Sequence, residues 1–336
     1  MARTDARSSA IMAAGTLVSR ILGFVKTILL TVAIGSLSTV GDVFETANTL
    51  PNLIYVLVAG GVFNAVLVPQ IIKAAKAQDG GARYISKLVT LTVTAIGLVT
   101  LITVACAWPI ISIMGSGWTP EQRQLGFIFS LWCLPQIFFY GVYTMLGQVL
   151  NARDQFGPMM WAPIANNIIS IIVLGFYLVI WGAGGDHSGA FTTEQILLLG
   201  VGSTLGIAAQ ALVLIPFVKK VGFRFRPRFD LRGAGLGKTF QLAKWTLGFV
   251  LINQAVLMLV NRLATSATAA GSGGGSNVYG NASLIWMMPH SLITVSLATA
   301  MLPNASRLAA EGDLEGVAAE ARKTTRLSLM ALVPAS

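Results

Sequence analysis

The sequence predicts an all-α polytopic membrane protein: a helical bundle with one six-helix lobe and the start of a second lobe that repeats it in parallel. Three observations predict this. Only 11% of the 336 residues are charged, against 54% hydrophobic, whereas soluble domains carry about 25% charged residues. Apolar runs of roughly 20 residues, long enough to cross a bilayer, recur along the chain. Lys and Arg gather in alternate connections between those runs, the asymmetry that sets membrane orientation.

The elements follow in order. The first span runs from about Ser9 to Ile34 and the second from about Val43 to Ile72. The third covers about Tyr84 to Trp108, the fourth Glu121 to Leu150 and the fifth Pro158 to Trp181. The sixth covers Gln195 to Val218, the seventh Thr239 to Leu263 and the eighth Val278 to Leu302. A ninth begins near Arg326 and stops at Ser336, too short to span. Gly60-Gly61, Pro135, Pro163 and Pro289 are expected to break or kink their spans. A bilayer tolerates such breaks only where protein or enclosed water satisfies the freed backbone.

With the N-terminus placed inside, all but four of the 23 Lys and Arg fall on the inner side. The exceptions are Arg123 and Arg262 near outer helix ends, and Arg20 and Lys26 within the first span. The expected location is the cytoplasmic (inner or plasma) membrane, multi-pass, with a cytoplasmic N-terminal tail and no cleaved leader. The same asymmetry accounts for a net charge of +10 without a nucleic-acid partner. The basic run "KKVGFRFRPRFDLRGAGLGK", Lys219 to Lys238, has two readings: a solvated loop that fixes topology, or a contact with anionic lipid headgroups. Cys106 and Cys133 lie in apolar runs and read as small core residues, neither disulfide nor metal ligands.

The second and eighth spans resemble each other. Each carries Pro and a polar residue near its outer end and closes on an aliphatic-Pro-amide triplet, Val68-Pro69-Gln70 and Leu302-Pro303-Asn304. Parallel repeats of this kind mark secondary transporters. The expected organisation is a six-helix lobe with its inner basic loop over residues 1–232, then two helices and part of a third of an incomplete second lobe over 233–336. The 336-residue chain is then expected to be an inactive fragment. "AAGSGGGSN", Ala269 to Asn277, reads as a flexible linker.

Arg20 and Lys26 are the residues that demand a purpose. A charge at a span centre costs about 2.5–3.5 kcal/mol on insertion scales. Neither cation is followed by a carboxylate one turn away, so both are expected to face water. They stand about 120° and 9 Å apart on a helix, compatible with one wide cavity, and Gly23 between them offers a bend. Asn166 and Asn167, just after Pro163, are the most site-like of the intramembrane amides. Asn64, Gln136, Gln210, Asn253, Gln254 and Asn281 read first as interhelical hydrogen bonds, and His290 as a packed histidine. Asp42 and Glu45 open the second span, where acids suit the helix N-terminus. No paired carboxylates, metal-ligand motif, P-loop or nucleophile constellation stands out, so no catalytic residue, metal or cofactor is expected. A cationic cavity in a helical bundle fits a phosphate-bearing guest, because Arg and Lys bind phosphate well.

The motifs resemble one family. "SRILGFVK" resembles the Ser-Arg-x-Leu-Gly-Phe-x-Arg opening of the MviN/MurJ lipid II flippases, of the multidrug/oligosaccharidyl-lipid/polysaccharide exporter superfamily. "GDVFETANTLPNLIYVLVAGGVFNAVLVP" resembles that family's Asp-x-Phe, Leu-Pro-Asn and Phe-Val-Pro segment. "LPQIFFYGVYTMLGQVLNARDQFGPMMWAPIANN" and "MLPNASRLAAEGD" resemble its later stretches.

The resemblance implies fourteen helices in two six-helix lobes plus two, and a flippase that moves undecaprenyl-pyrophosphate-linked peptidoglycan precursor by alternating access. It carries over Arg20 and Lys26 as cavity cations for the pyrophosphate and Asp42 as the outer-end acid. Asn52 of the Leu50-Pro51-Asn52 segment joins Asn166 and Asn167 as a substrate-binding candidate. The chain departs from the family's Arg at Lys26, from Arg-Arg at Tyr55-Val56 and from Glu-Gly at Gly60-Gly61, and "GNASLIW" lacks a charge the family carries there. Two alternatives therefore stay open: a flippase for another polyprenyl-linked oligosaccharide, and a non-transporting scaffold for cell-wall synthesis. The partners implied are the lipid-linked substrate, membrane lipids and, for the scaffold, cell-wall synthesis proteins.

Overall fold

In a computed structural model, the described residues are 2–35, 38–56, 82–115, 117–153, 155–184, 191–229, 236–267, 275, 278–283, 285, 287, 293–294, 297, 301, 305, 308 and 311–333. Their regular structure is entirely helical. Two compact units divide the chain, Met1–Ser276 and Asn277–Ser336.

The first unit holds α1 (Ala2–Ile34), α2 (Thr39–Tyr55), α3 (Ala82–Ala105), α4 (Ala107–Met114), α5 (Pro120–Cys133) and α6 (Gln136–Asn151). It continues with α7 (Gly157–Trp181), α8 (Thr193–Leu212), α9 (Ile215–Lys220) and α10 (Leu236–Ala267). Five stretches among the described residues are long and apolar enough to cross a membrane: Ala14–Ile34, Ala82–Ala105, Pro120–Asn151, Gly157–Trp181 and Thr193–Lys220. The starts obey local chemistry. Thr119 and Thr192 each close a capping box with the glutamine three residues on, Gln122 and Gln195.

Three expected spans are interrupted, each beside a proline. The third breaks at Cys106 ahead of Pro109, the fourth at Leu134-Pro135, and the sixth at Val213-Leu214 ahead of Pro216. Proline lacks an N–H and crowds the carbonyl four residues back, and the lobe supplies donors for carbonyls so released. Thr204 Oγ1 on α8 donates to the Trp132 carbonyl at 2.6 Å, beside the α5–α6 break. Of the break or kink expected at Pro163, the break is excluded, since α7 runs through it. The carbonyl that Pro163 orphans is that of Met159, and the Tyr143 hydroxyl on α6 donates to it at 3.0 Å.

Helices α1 and α7 pack together, α7 packs on α8, and α8 meets α5 and α6. α2 lies against α5 and α6, and α3 against α6. Small residues permit the closest approaches: a side chain at Gly15 would overlap the Trp161 indole, and one at Gly141 would overlap Ile96. α10 touches α4, where Thr265 Oγ1 donates to the Met114 carbonyl at 3.2 Å.

In the second unit, residues 278–283 are helical and α11 covers Leu314–Leu332. α11 corrects the expected start near Arg326. Asp313 supplies the cap, its Oδ1 accepting from the Gly316 N–H at 2.8 Å. Asn64, Gly60-Gly61, Pro69, Pro289, His290, Pro303, the Gln254 side chain and all of the glycine linker except Gly275 lie outside the described residues.

Candidate functional site

The face that α1 turns to the lobe follows from spacing. Gly15, Ser19 and Gly23 recur every four residues, and Asn167 of α7 reaches this stripe. Its amide nitrogen donates to the Ser19 carbonyl at 2.7 Å and lies 3.3 Å from Ser19 Oγ. Lys26, seven residues past Ser19, continues the same stripe. Arg20 lies about 120° away, on the face where Leu17, Ile21 and Phe24 are exposed, and is itself exposed.

Lys26 does not stand alone. It is half-buried, and Glu45 of α2 is its electrostatic neighbour. This corrects the expectation that the cation lacks a carboxylate. The partner sits on the next helix, outside the one-turn spacing at which a carboxylate on α1 itself would fall. Lys26 is eight residues before the end of α1 and Glu45 six residues after the start of α2. At 1.5 Å per residue both lie about 9–12 Å from the short connection, at matching depth. Gly35, at φ 77, begins that connection. Ser38 caps α2, accepting from the Gly41 N–H at 2.9 Å. Arg20 also engages a neighbouring group, so neither cation is unpartnered.

Glu45 heads the more accessible stripe of α2. Glu45, Asn48, Thr49 and Tyr55 are half-buried and Asn52 is exposed, while Val43, Phe44, Ala47 and Leu50 are buried. Polar residues on the open side of a membrane helix meet protein or enclosed water rather than acyl chains. Thr49 Oγ1 donates to Glu45 Oε1 at 3.4 Å. Asn48 accepts from Gln136 Nε2 at 3.1 Å, and the Tyr55 hydroxyl donates to Thr144. The Tyr55 ring stacks on Tyr140, centroids 5.6 Å apart. Tyr55, where the family resemblance expects Arg, is thus tied to α6 as a neutral group.

The candidates gather only in part. Asp42 is fully buried in the first turn of α2 and acts electrostatically on Glu45, so Asp42, Glu45 and Lys26 form one charged group. Asn52 lies seven residues from Glu45, about 10 Å further along α2. Asn167 joins α7 to α1, and Asn166, half-buried, accepts from Ser170 Oγ at 3.4 Å and lies against Gly206. Among the described residues, no group of His, Cys, Asp and Glu has the arrangement of a metal site.

Comparison with known proteins gives concordant results. Residues 17–336 match the family model described as lipid II flippase MurJ. Proteins named probable lipid II flippase MurJ are similar along nearly the whole chain. The Haemophilus influenzae protein is 26% identical, covering 96% of this chain and 63% of its own length. The Rhizobium meliloti protein is 27% identical, covering 96% and 58%, and the Synechocystis protein 26% identical, covering 99% and 61%. A solved structure titled lipid II flippase MurJ, inward closed conformation, superposes with a TM-score of 0.70 at 18% identity. It covers 97% of this chain and 64% of that one, a likeness that shows the fold. The chain thus spans about three fifths of the length of these relatives.

Proposed function

The chain belongs to the lipid II flippase MurJ family, and from that premise we propose that the protein moves a polyprenyl-pyrophosphate-linked peptidoglycan precursor, lipid II, between the leaflets of the cytoplasmic membrane. The observation that carries this reading beyond membership is the charged group of half-buried Lys26 and Glu45 with buried Asp42, at the head of a polar stripe on α2. A half-buried ammonium with a carboxylate as its electrostatic neighbour is a phosphate site in its resting form. The incoming pyrophosphate takes the place of Glu45 beside Lys26, so the ammonium has an anionic partner before and after binding. Arg20, on the exposed face of α1, meets the phosphate first, and Asn52 offers its amide further along.

The lobe over residues 1–232 then rocks against a second lobe that begins in 233–336, with the N-terminus cytoplasmic. The process is transport, with no covalent chemistry and no cofactor. The Tyr55-Val56 pair supports a second cargo, another polyprenyl-linked oligosaccharide, because it removes cations the family pattern carries.

The test is translocation of fluorescent lipid II by the full-length protein in proteoliposomes. Wild type transports it, and Arg20→Ala slows it. Transport of another polyprenyl-linked oligosaccharide in its place would change the cargo. Transport of neither would contradict the flippase reading.

A further inference from the structure

We propose that residues 222–229 form a binding surface for anionic phospholipid headgroups, a strap of alternating Arg and Phe laid across the basic end of the first unit. α9 ends in Lys219 and Lys220, both exposed, with the Lys220 ammonium 5.7 Å from the centre of the Phe217 ring. The chain turns at Gly222, whose φ of 77 suits glycine, and leaves helical structure through Phe229. Two bonds pin the strap. Arg153 Nη1 donates to the Val221 carbonyl at 2.6 Å, and the Arg228 N–H donates to Thr90 Oγ1 at 3.0 Å. Phe223 is buried in the same core cluster as Val218, Ile85 and Leu88.

The second pin fixes the depth. α3 opens with Arg83 and Lys87, which as part of a basic membrane boundary belong at headgroup level. Thr90 is three residues past Lys87, about 4.5 Å along the axis. The strap therefore lies within one helical turn of the headgroup level, alongside a span rather than out in solution. Between the pins, Arg224, Phe225 and Arg226 are exposed, Phe225 by 45%, and Phe229 just beyond by 75%.

Phenyl rings held open between guanidinium groups suit neither bulk water nor hydrocarbon. They suit the interface, where a ring enters the acyl boundary and a guanidinium pairs with phosphate. Charge decides the occupant. From Ile215 to Phe229 there are five cations and no carboxylate, and the segment Ala82 to Thr92 adds Arg83 and Lys87, again without an acid. A zwitterionic headgroup would bring a cation into this cluster, whereas an anionic phospholipid such as phosphatidylglycerol brings none.

The experiment uses the full-length protein in lipid nanodiscs with Phe225→Trp, subtracting the emission of the wild type. Brominated phosphatidylglycerol should quench the new indole at a mole fraction well below that needed for brominated phosphatidylcholine. Arg224→Gln should lower that preference about fivefold, the effect of one cation near an anionic surface. Independently of any tryptophan, the Arg224→Gln/Arg226→Gln protein should retain less phosphatidylglycerol through purification than wild type, as counted by lipid mass analysis. Equal quenching by the two lipids, or none, would overturn the proposal. So would displacement of the brominated phosphatidylglycerol by an equal mole fraction of polyprenyl pyrophosphate, which would make the strap a capture site for the transported lipid.

Discussion

Positive charge is handled in two ways in the first unit. Lys26 is half-buried on the face that α1 turns to the lobe, and a carboxylate on the neighbouring helix is its electrostatic neighbour. Arg224 and Arg226 sit on the surface beside exposed phenyl rings, on a segment with no acid of its own. The difference teaches what each charge can be used for. An interior charge must be compensated at every stage, so its partner can only be exchanged for another anion. A surface charge needs no resident partner and can be left to the lipid.

The largest expected effect comes from breaking the interior pair on one side. Glu45→Ala takes from the Lys26 ammonium its carboxylate neighbour, and removing one member of a fully buried pair costs about 3–5 kcal/mol. Partial accessibility puts this case at the lower end of that range, read as a lower thermal midpoint in detergent. The swapped protein, Lys26→Glu with Glu45→Lys, should recover most of the loss. If Glu45→Ala melts with wild type, the two side chains are not coupled as described.

A smaller effect is expected from Asn167→Ala, which removes the joint between α7 and the stripe that carries Lys26. Interhelical hydrogen bonds in membranes are worth about 0.6 kcal/mol on average and about 1.7 at most. The same melting measurement should show a shift of that size, and a shift as large as that of Glu45→Ala would mean that Asn167 also supports the charged group.

The smallest effect sharpens the contrast. Thr90→Val removes the acceptor of the Arg228 N–H. Global stability should change by about 1 kcal/mol or less, while hydrogen exchange at Arg228 rises. Salt separates the two regions as well. At 1 M the screening length falls to about 3 Å, so lipid preference at the strap should fade while the penalty of Glu45→Ala persists.

Much of this was legible in the sequence, and the misses have physical causes. Apolar length located the described spans, because it reflects transfer from water to lipid, which sequence records directly. The breaks at Cys106 and Val213 were missed because a proline two or three residues on acts backward on the helix. At Pro163 the helix continues, and the donor to the carbonyl it orphans, Tyr143, lies on another helix, where sequence does not show it. Glu45 was misjudged for the same reason, although matching depths across the α1–α2 connection were available from counting residues. The α11 start at Leu314 was hidden by a weakly apolar first half whose cap, Asp313, was the readable signal.

The most direct test neutralises the interior pair without orphaning either member. Lys26→Gln with Glu45→Gln should fold and melt close to wild type, since neither member of the pair is left charged without the other, yet fail to translocate lipid II in proteoliposomes of the full-length protein. Wild-type translocation by that double variant would show that the pair serves only the stability of the lobe, and would contradict its role as the resting form of a phosphate site.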